Sequence, residues 1–169
     1  QEHDASVLKS RERAEEIAKR DRRFGAVARL YTAGTALLIE AVAEFGDFDL
    51  HVEYLTPAGG NSGISLRDHT RGQYAIGPVP DYEKTPAHHG YEIQILNGVK
   101  TKYSTGSIYL FAPAAFGHEK DNDWNSLDIE SRRDVIRVKL NGHEVASHPG
   151  DPARPKSGPI GLQLHDRFN

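Results

Sequence analysis

Apolar and polar residues alternate strictly in several short stretches of the chain. Phe48, Leu50, Val52 and Tyr54 take one side of a stretch whose other side carries Asp49, His51 and Glu53. The same period recurs where Ile64 and Leu66 interleave with Ser65 and Arg67, and where Tyr91, Ile93 and Ile95 interleave with Glu92 and Gln94. It returns at Ile136, Val138 and Leu140, and again at Ile160, Leu162 and Leu164. A period of two marks a strand that buries one face. Leu37 to Val42 is a mostly apolar run and reads as a buried strand. Gly, Pro, Asn and Asp separate these stretches, and Asn141-Gly142 is a hairpin signal. The pattern predicts an all-β domain, an antiparallel sandwich or barrel. Strands do not alternate with long helices, which argues against a parallel α/β sheet.

The first residues break this rhythm. Residues 4–23 are rich in Ala, Glu, Lys and Arg behind a capping Asp4, and predict a charged helix with a thin apolar stripe. The expected organisation is a helical N-terminal appendage over residues 1–23 and one β-domain over residues 24–169. Two long connections, 68–89 and 111–123, are expected to carry function, as long loops in compact domains do.

Composition narrows the function classes. The chain has 169 residues, enough for one sizeable core and short for two. A formal net charge of −3 without a basic stripe argues against a nucleic-acid surface. No run of about 18 apolar residues occurs, so no membrane span is expected. There are no cysteines, which excludes disulfides and thiolate metal sites. The chain starts at Gln1 and holds no methionine, which reads as a processed terminus and a secreted or periplasmic setting.

The polar faces of the strands carry His51, Glu53, Arg67, Glu92, Gln94, Gln163 and His165. These are titratable groups and bidentate hydrogen-bonders, drawn from four strands. On one shared sheet they would form a floor suited to a polyhydroxylated ligand, whose hydroxyls both donate and accept. The plainer reading is a salt-bridged outer face, with Glu53 and Arg67 as a cross-strand pair. Tyr109, after Thr105-Gly106-Ser107, is placed to border such a cleft. Trp124, the single tryptophan, reads first as a core anchor and second as a stacking platform for a sugar. Nine histidines include no His-x-x-x-His or His-Glu-x-x-His spacing, so local motifs give no metal signal. His88-His89 reads as surface. A divalent metal held by residues from distant strands, such as Glu92 with His165, stays open. Asp128-Ile129-Glu130 puts two carboxylates on one face, a weak echo of a retaining glucanase.

Several segments together are similar to one family. Gly46-Asp-Phe-Asp-Leu-His-Val-Glu-Tyr54, Asn61-Ser-Gly-Ile-Ser-Leu-Arg67 and Gly90-Tyr-Glu-Ile-Gln-Ile-Leu96 resemble, in order, motifs of the 3-keto-disaccharide hydrolase family. Thr105-Gly-Ser-Ile-Tyr109, Trp124-Asn125, Leu140-Asn-Gly142 and Gly158-Pro-Ile-Gly-Leu-Gln-Leu-His165 continue the likeness. The resemblance spans roughly residues 38–168 and implies a concanavalin-like jelly roll of two antiparallel sheets. Two departures are visible: the chain ends at Asn169 where family members continue into a further strand, and the charged helix is not part of the family core. Either could expose a sheet edge and favour assembly, as a homo-oligomer or with a partner.

The resemblance also implies a substrate, a glycoside carrying a ketone at C3. Cleavage would proceed by loss of the C2 proton, elimination at C1 and hydration. In that scheme Glu92 or His165 would serve as base, and Arg67 would stabilise the enolate. Glu53, Asn61, Gln94 and Gln163 would hold hydroxyls, with Tyr109 and Trp124 at the border. Asn61 has a plainer role as the first residue of an Asn-Ser-Gly turn. The competing class is a non-catalytic carbohydrate-binding or structural module.

Overall fold

The computed structural model describes residues 44–71, 73, 74, 81 and 83–164. All belong to the second of two compact units, residues 36–169. The expected helix at residues 4–23, the run from Leu37 to Val42, and His165 lie outside the described residues.

Among the described residues seven strands form two antiparallel sheets. Phe48–Tyr54 (β1), Asn125–Arg132 (β4), Val135–Leu140 (β5) and His143–His148 (β6) make a four-stranded sheet in the order β1-β4-β5-β6. Asn61–Leu66 (β2), Tyr91–Leu96 (β3) and Ile160–Leu164 (β7) make the other, in the order β3-β2-β7. A one-turn helix, Pro86–His89 (α1), leads into β3.

The alternating residues explain the arrangement. Ile64, Leu66, Ile93, Leu127, Ile136 and Val138 are all fully buried, and they come from both sheets. They join Ile95, Ile108, Ile129 and Leu140 in a single apolar cluster. Complete burial of one such side chain is worth roughly 1.5–3 kcal/mol, so this shared layer is what fixes the two sheets face to face.

Local chemistry closes the turns. Asn141 and Gly142 both have positive φ, 51° and 85°, as a two-residue hairpin of the kind that matches strand twist requires. The Asn141 side chain then donates to the carbonyl of His118 at 2.7 Å and to Oδ1 of Asn125 at 2.8 Å. Asn125 in turn binds both the N–H and the C=O of Lys120, which ties the 111–123 connection to β4.

Two strands go beyond the alternation identified in the sequence. The central strand β4 carries Leu127 and Ile129 inward and Asp128 and Glu130 outward. β6 is the return strand of the Asn141-Gly142 hairpin. Asn61-Ser62-Gly63 is the start of β2 rather than a turn. Trp124 is not a core anchor: it is 37% exposed, just before β4. His88 and His89 are half-buried in α1, and Nε2 of His89 is buried without a hydrogen-bond partner.

Candidate active site

The three-stranded sheet turns one face to the core and a second, polar face away from it. Cross-strand register orders that second face into rows. Gln94 pairs with Gly63, and Gly63 pairs with Gln163. One step along, Glu92 pairs with Ser65, and Ser65 with Gly161. Asn61 stands at the end of the same face, opposite Leu96.

A fourth segment extends this sheet beyond β3. The N–H of Gly106 donates to the carbonyl of Gln94, and the N–H of Gln94 donates to the carbonyl of Ser107, both at 2.9 Å. Two residues thus oppose one, with Gly106 at φ 86°, which is a glycine bulge. The bulge restores the register so that Ile108 enters the core and the N–H of Tyr109 donates to the carbonyl of Glu92 at 2.8 Å. Tyr109 therefore flanks Glu92, and its ring packs on Tyr103 with centroids 4.9 Å apart. Tyr103 was not singled out in the sequence, because nothing local marks a loop tyrosine as a neighbour of this row.

The polar face is largely dehydrated. Glu92 is 5% exposed and Gln94 is 8% exposed. Burial pushes the Glu92 carboxyl from its ordinary 4.5 up to about 7, with no opposing cation among the described residues. Its Oε1 lies 2.7 Å from where a Cβ on Gly63 would stand, and Oε1 of Gln163 lies 3.2 Å from the same point. Glycine at position 63 therefore leaves the room that the carboxyl occupies. Oδ1 of Asn61, Oε1 of Gln94 and Oε1 of Gln163 are buried without hydrogen-bond partners. Orphaned buried amide oxygens call for donors, and a sugar's hydroxyls are donors.

Other expected site residues lie elsewhere. Arg67 has φ 60°, which breaks the strand alternation after Leu66 and is accompanied by a side chain turned into the sandwich. Its Nη2 donates to the carbonyls of Gly46 and Arg133, both at 2.9 Å, and to Ser131 Oγ at 2.6 Å. The guanidinium is thus a clamp between the two sheets, 1% exposed, rather than a group on the polar face beside Glu92. It pairs with neither Glu53 nor a ligand-facing carboxylate. Glu53 belongs to β1, on the outward face of the four-stranded sheet, 3.9 Å from Nε2 of His51. Asp128 and Glu130 share that outward face: Asp128 meets His51 Nδ1 at 2.5 Å, and Glu130 meets Arg137 at 3.5 Å. Trp124 also belongs to the four-stranded sheet's side. The structure thus gathers Asn61, Glu92, Gln94, Tyr109 and Gln163 and leaves Glu53, Arg67 and Trp124 apart.

Among the described residues no group of three or more His, Asp or Glu side chains could hold a metal. Around Glu92 the donors among the described residues are one carboxyl and several amide oxygens. No helix among the described residues is long and apolar enough to cross a membrane.

A two-sheet β-sandwich with a buried carboxyl set among amide side chains on one sheet's polar face defines the class of fold and site. The chain belongs to the family described as the 3-keto-alpha-glucoside-1,2-lyase-like domain, whose profile matches residues 16–168. Two crystal structures of Parabacteroides distasonis proteins, each provisionally titled a glycosyl hydrolase, share its fold. One superposes with a TM-score of 0.62 at 23% identity, covering 76% of each chain. The other has a TM-score of 0.57 at 20% identity, covering 79% of this chain and 70% of its own. No protein of curated function matches the sequence significantly.

Proposed function

We propose that this domain, on a concanavalin-like sandwich, cleaves glycosides whose C3 hydroxyl has been oxidised to a ketone. The observation that carries the proposal is Glu92: a 5% exposed carboxyl whose proton affinity lies near neutrality, set among orphaned amide oxygens. A general base works best when its pKa is close to the working pH. The description of the family to which the chain belongs supports this substrate class.

A C3 ketone acidifies the proton on C2. Glu92, ionised, takes that proton, and the electron pair is held as the enolate of the C3 carbonyl. Collapse of the enolate forms the C1–C2 double bond and expels the glycosidic oxygen from C1, which leaves as an alcohol after protonation. Water then adds at C1 and a proton returns to C2, which completes a net hydrolysis. Gln94, Gln163 and Asn61 hold the ring hydroxyls, and Tyr109 borders the reacting carbon. His165, two residues beyond Gln163, is the proposed acid for the leaving oxygen, on its sequence position alone. Arg67 is given no part in the chemistry, because its guanidinium is spent between the sheets. The proposed setting is secreted or periplasmic, where a sugar oxidised by a separate enzyme would be met.

The exposed aromatic side chains Trp124, Phe116 and Tyr74 favour a second reading, a carbohydrate-binding module without turnover. One assay separates the two. A 3-keto-glucoside and its unoxidised parent are each incubated with wild type and with Glu92→Gln, with and without EDTA. The proposal expects cleavage of the keto sugar only, abolished by the substitution. Binding without cleavage by folded wild type would leave the module.

A further inference from the structure

A second group of orphaned polar atoms lies at the end of β1, away from Glu92. Tyr54 closes β1, Thr56 follows it, Asn97 follows β3, and Glu119 sits in the connection before β4. Tyr54 OH, Thr56 Oγ1, Asn97 Oδ1 and Glu119 Oε1 are all buried; the Thr56, Asn97 and Glu119 oxygens have no hydrogen-bond partner, and the Tyr54 hydroxyl has only the Thr105 side chain to interact with.

The backbone binds these residues into one unit. The N–H of Gly59 donates to the carbonyl of Asn97 at 2.8 Å, and the N–H of Asn97 donates to the carbonyl of Gly60 at 3.0 Å. Nδ2 of Asn97 donates to the carbonyl of Thr56 at 3.1 Å, which fixes the amide and leaves Oδ1 as the unused end. The N–H of Gly98 donates to Oε2 of Glu119 at 3.3 Å, which likewise leaves Oε1 unused. Burial, and after it the negative charge of Glu119, raise the proton affinity of the Tyr54 hydroxyl and keep it protonated, against a smaller opposing effect of the Thr105 side chain. Asp121 adds a second carboxylate beside the same turn, 3.8 Å from where a Cβ on Gly98 would stand.

Two of the orphans, Asn97 Oδ1 and Glu119 Oε1, can only accept. Asn97 is fully buried, so bulk water does not serve it. Leaving such acceptors bare is costly, and the four atoms are all oxygens. We infer that Glu119, Asn97 and Thr56, with the Tyr54 hydroxyl beside them, form a site for one hard cation of the calcium type. Calcium takes six to eight oxygen ligands in flexible geometry and tolerates waters in the remaining positions. With so few carboxylates the site belongs to the weak class that suits extracellular calcium concentrations, on the order of 10⁻⁴–10⁻³ M. The ion would tie the ends of β1 and β3 to the loop entering β4. This site is independent of the proposed catalysis, since none of its residues lies in the Glu92 rows.

The test uses the whole chain after EDTA treatment and dialysis. Addition of 10 mM calcium should raise the thermal midpoint by roughly 3–10 °C, as linkage predicts for a ligand well above its dissociation constant. Magnesium at the same concentration should do much less. Terbium should bind in place of calcium, with luminescence excited through Tyr54, and calcium should displace it. Glu119→Gln, which keeps an oxygen for the Gly98 N–H, should abolish the calcium-dependent rise. Asn97→Ala, which removes the Oδ1 acceptor, should weaken calcium binding about tenfold. Wild type with neither a calcium-dependent rise nor displaceable terbium would overturn the inference. So would calcium binding that is unchanged in both variants, or a crystal grown in calcium with only a water between these oxygens.

Discussion

The carboxyl of Glu92 fills the place that a side chain at position 63 would need: its Oε1 is 2.7 Å from the would-be Cβ of Gly63. One residue's lack of a side chain thus sets where another's proton-transfer group stands. Gly63→Ala should disturb this directly. The carboxyl is the far end of a flexible side chain, so it can shift, and the backbone ladder should survive. We expect a fall in kcat of about 10-fold or more, with the denaturation midpoint changed by less than about 1 kcal/mol. Steady-state kinetics beside urea unfolding would check both halves.

Burial of Glu92 also makes stability depend on pH, with a definite sign. Its pKa is about 7 in the folded chain and near 4.5 unfolded. Below 4.5 the group is protonated in both states and contributes no difference. Between these values the folded state keeps a proton that the unfolded state has released, so stability falls as pH rises. Above 7 the full penalty is present, of the order of 3 kcal/mol. Glu92→Gln should lack this contribution and be more stable than wild type at pH 8, while losing about 10²–10⁴-fold in turnover of a keto sugar. Urea titrations across pH 4–8 measure the first effect, and the cleavage assay the second.

Arg67 separates structure from chemistry. Its three short hydrogen bonds join β2 to Gly46, Ser131 and Arg133. Removing the guanidinium leaves buried acceptors bare, so Arg67→Ala should cost about 2–4 kcal/mol in unfolding experiments. In whatever fraction stays folded, kcat should be close to wild type. A large kcat loss in a protein of normal stability would instead place Arg67 in the reaction.

The outward face of the four-stranded sheet is a network of exposed pairs. Asp49 meets Arg132 at 2.5 Å, Asp128 meets His51 at 2.5 Å, and Glu130 lies between Arg132 and Arg137. Solvent screens such pairs, and each is worth at most about 1 kcal/mol. The double substitution Asp128→Asn with Glu130→Gln should therefore leave cleavage of the keto sugar unchanged and lower the midpoint only slightly. Loss of turnover there would revive a two-carboxylate glucanase mechanism.

Alternation by itself determined the all-β character, most of β1, β3, β5 and β7, the second half of β2, the hairpin at Asn141-Gly142 and the identity of the core face. These are local matters: a period of two assigns each residue of a strand to one side, and Asn-Gly accepts the positive φ that a tight hairpin needs. Motif order added the family. The same alternation is present at Ser126 to Glu130, where outward carboxylates interleave with the buried leucine and isoleucine of the inner strand β4.

Which polar faces share a surface was decided only by the tertiary structure, because sheet membership depends on pairing between distant segments. His51 and Glu53 alternate as cleanly as Glu92 and Gln94, yet β1 pairs with β4 and turns its polar face outward, while β3 pairs with β2. Arg67 is one residue past a strand, and a single positive φ is enough to carry it from the polar face into the sandwich. Tyr103 and the Glu119 group are assembled from loops, whose geometry is set by long-range hydrogen bonds that no local pattern records. The sequence determined which residues could face water or core, and packing between the sheets decided which of them stand together.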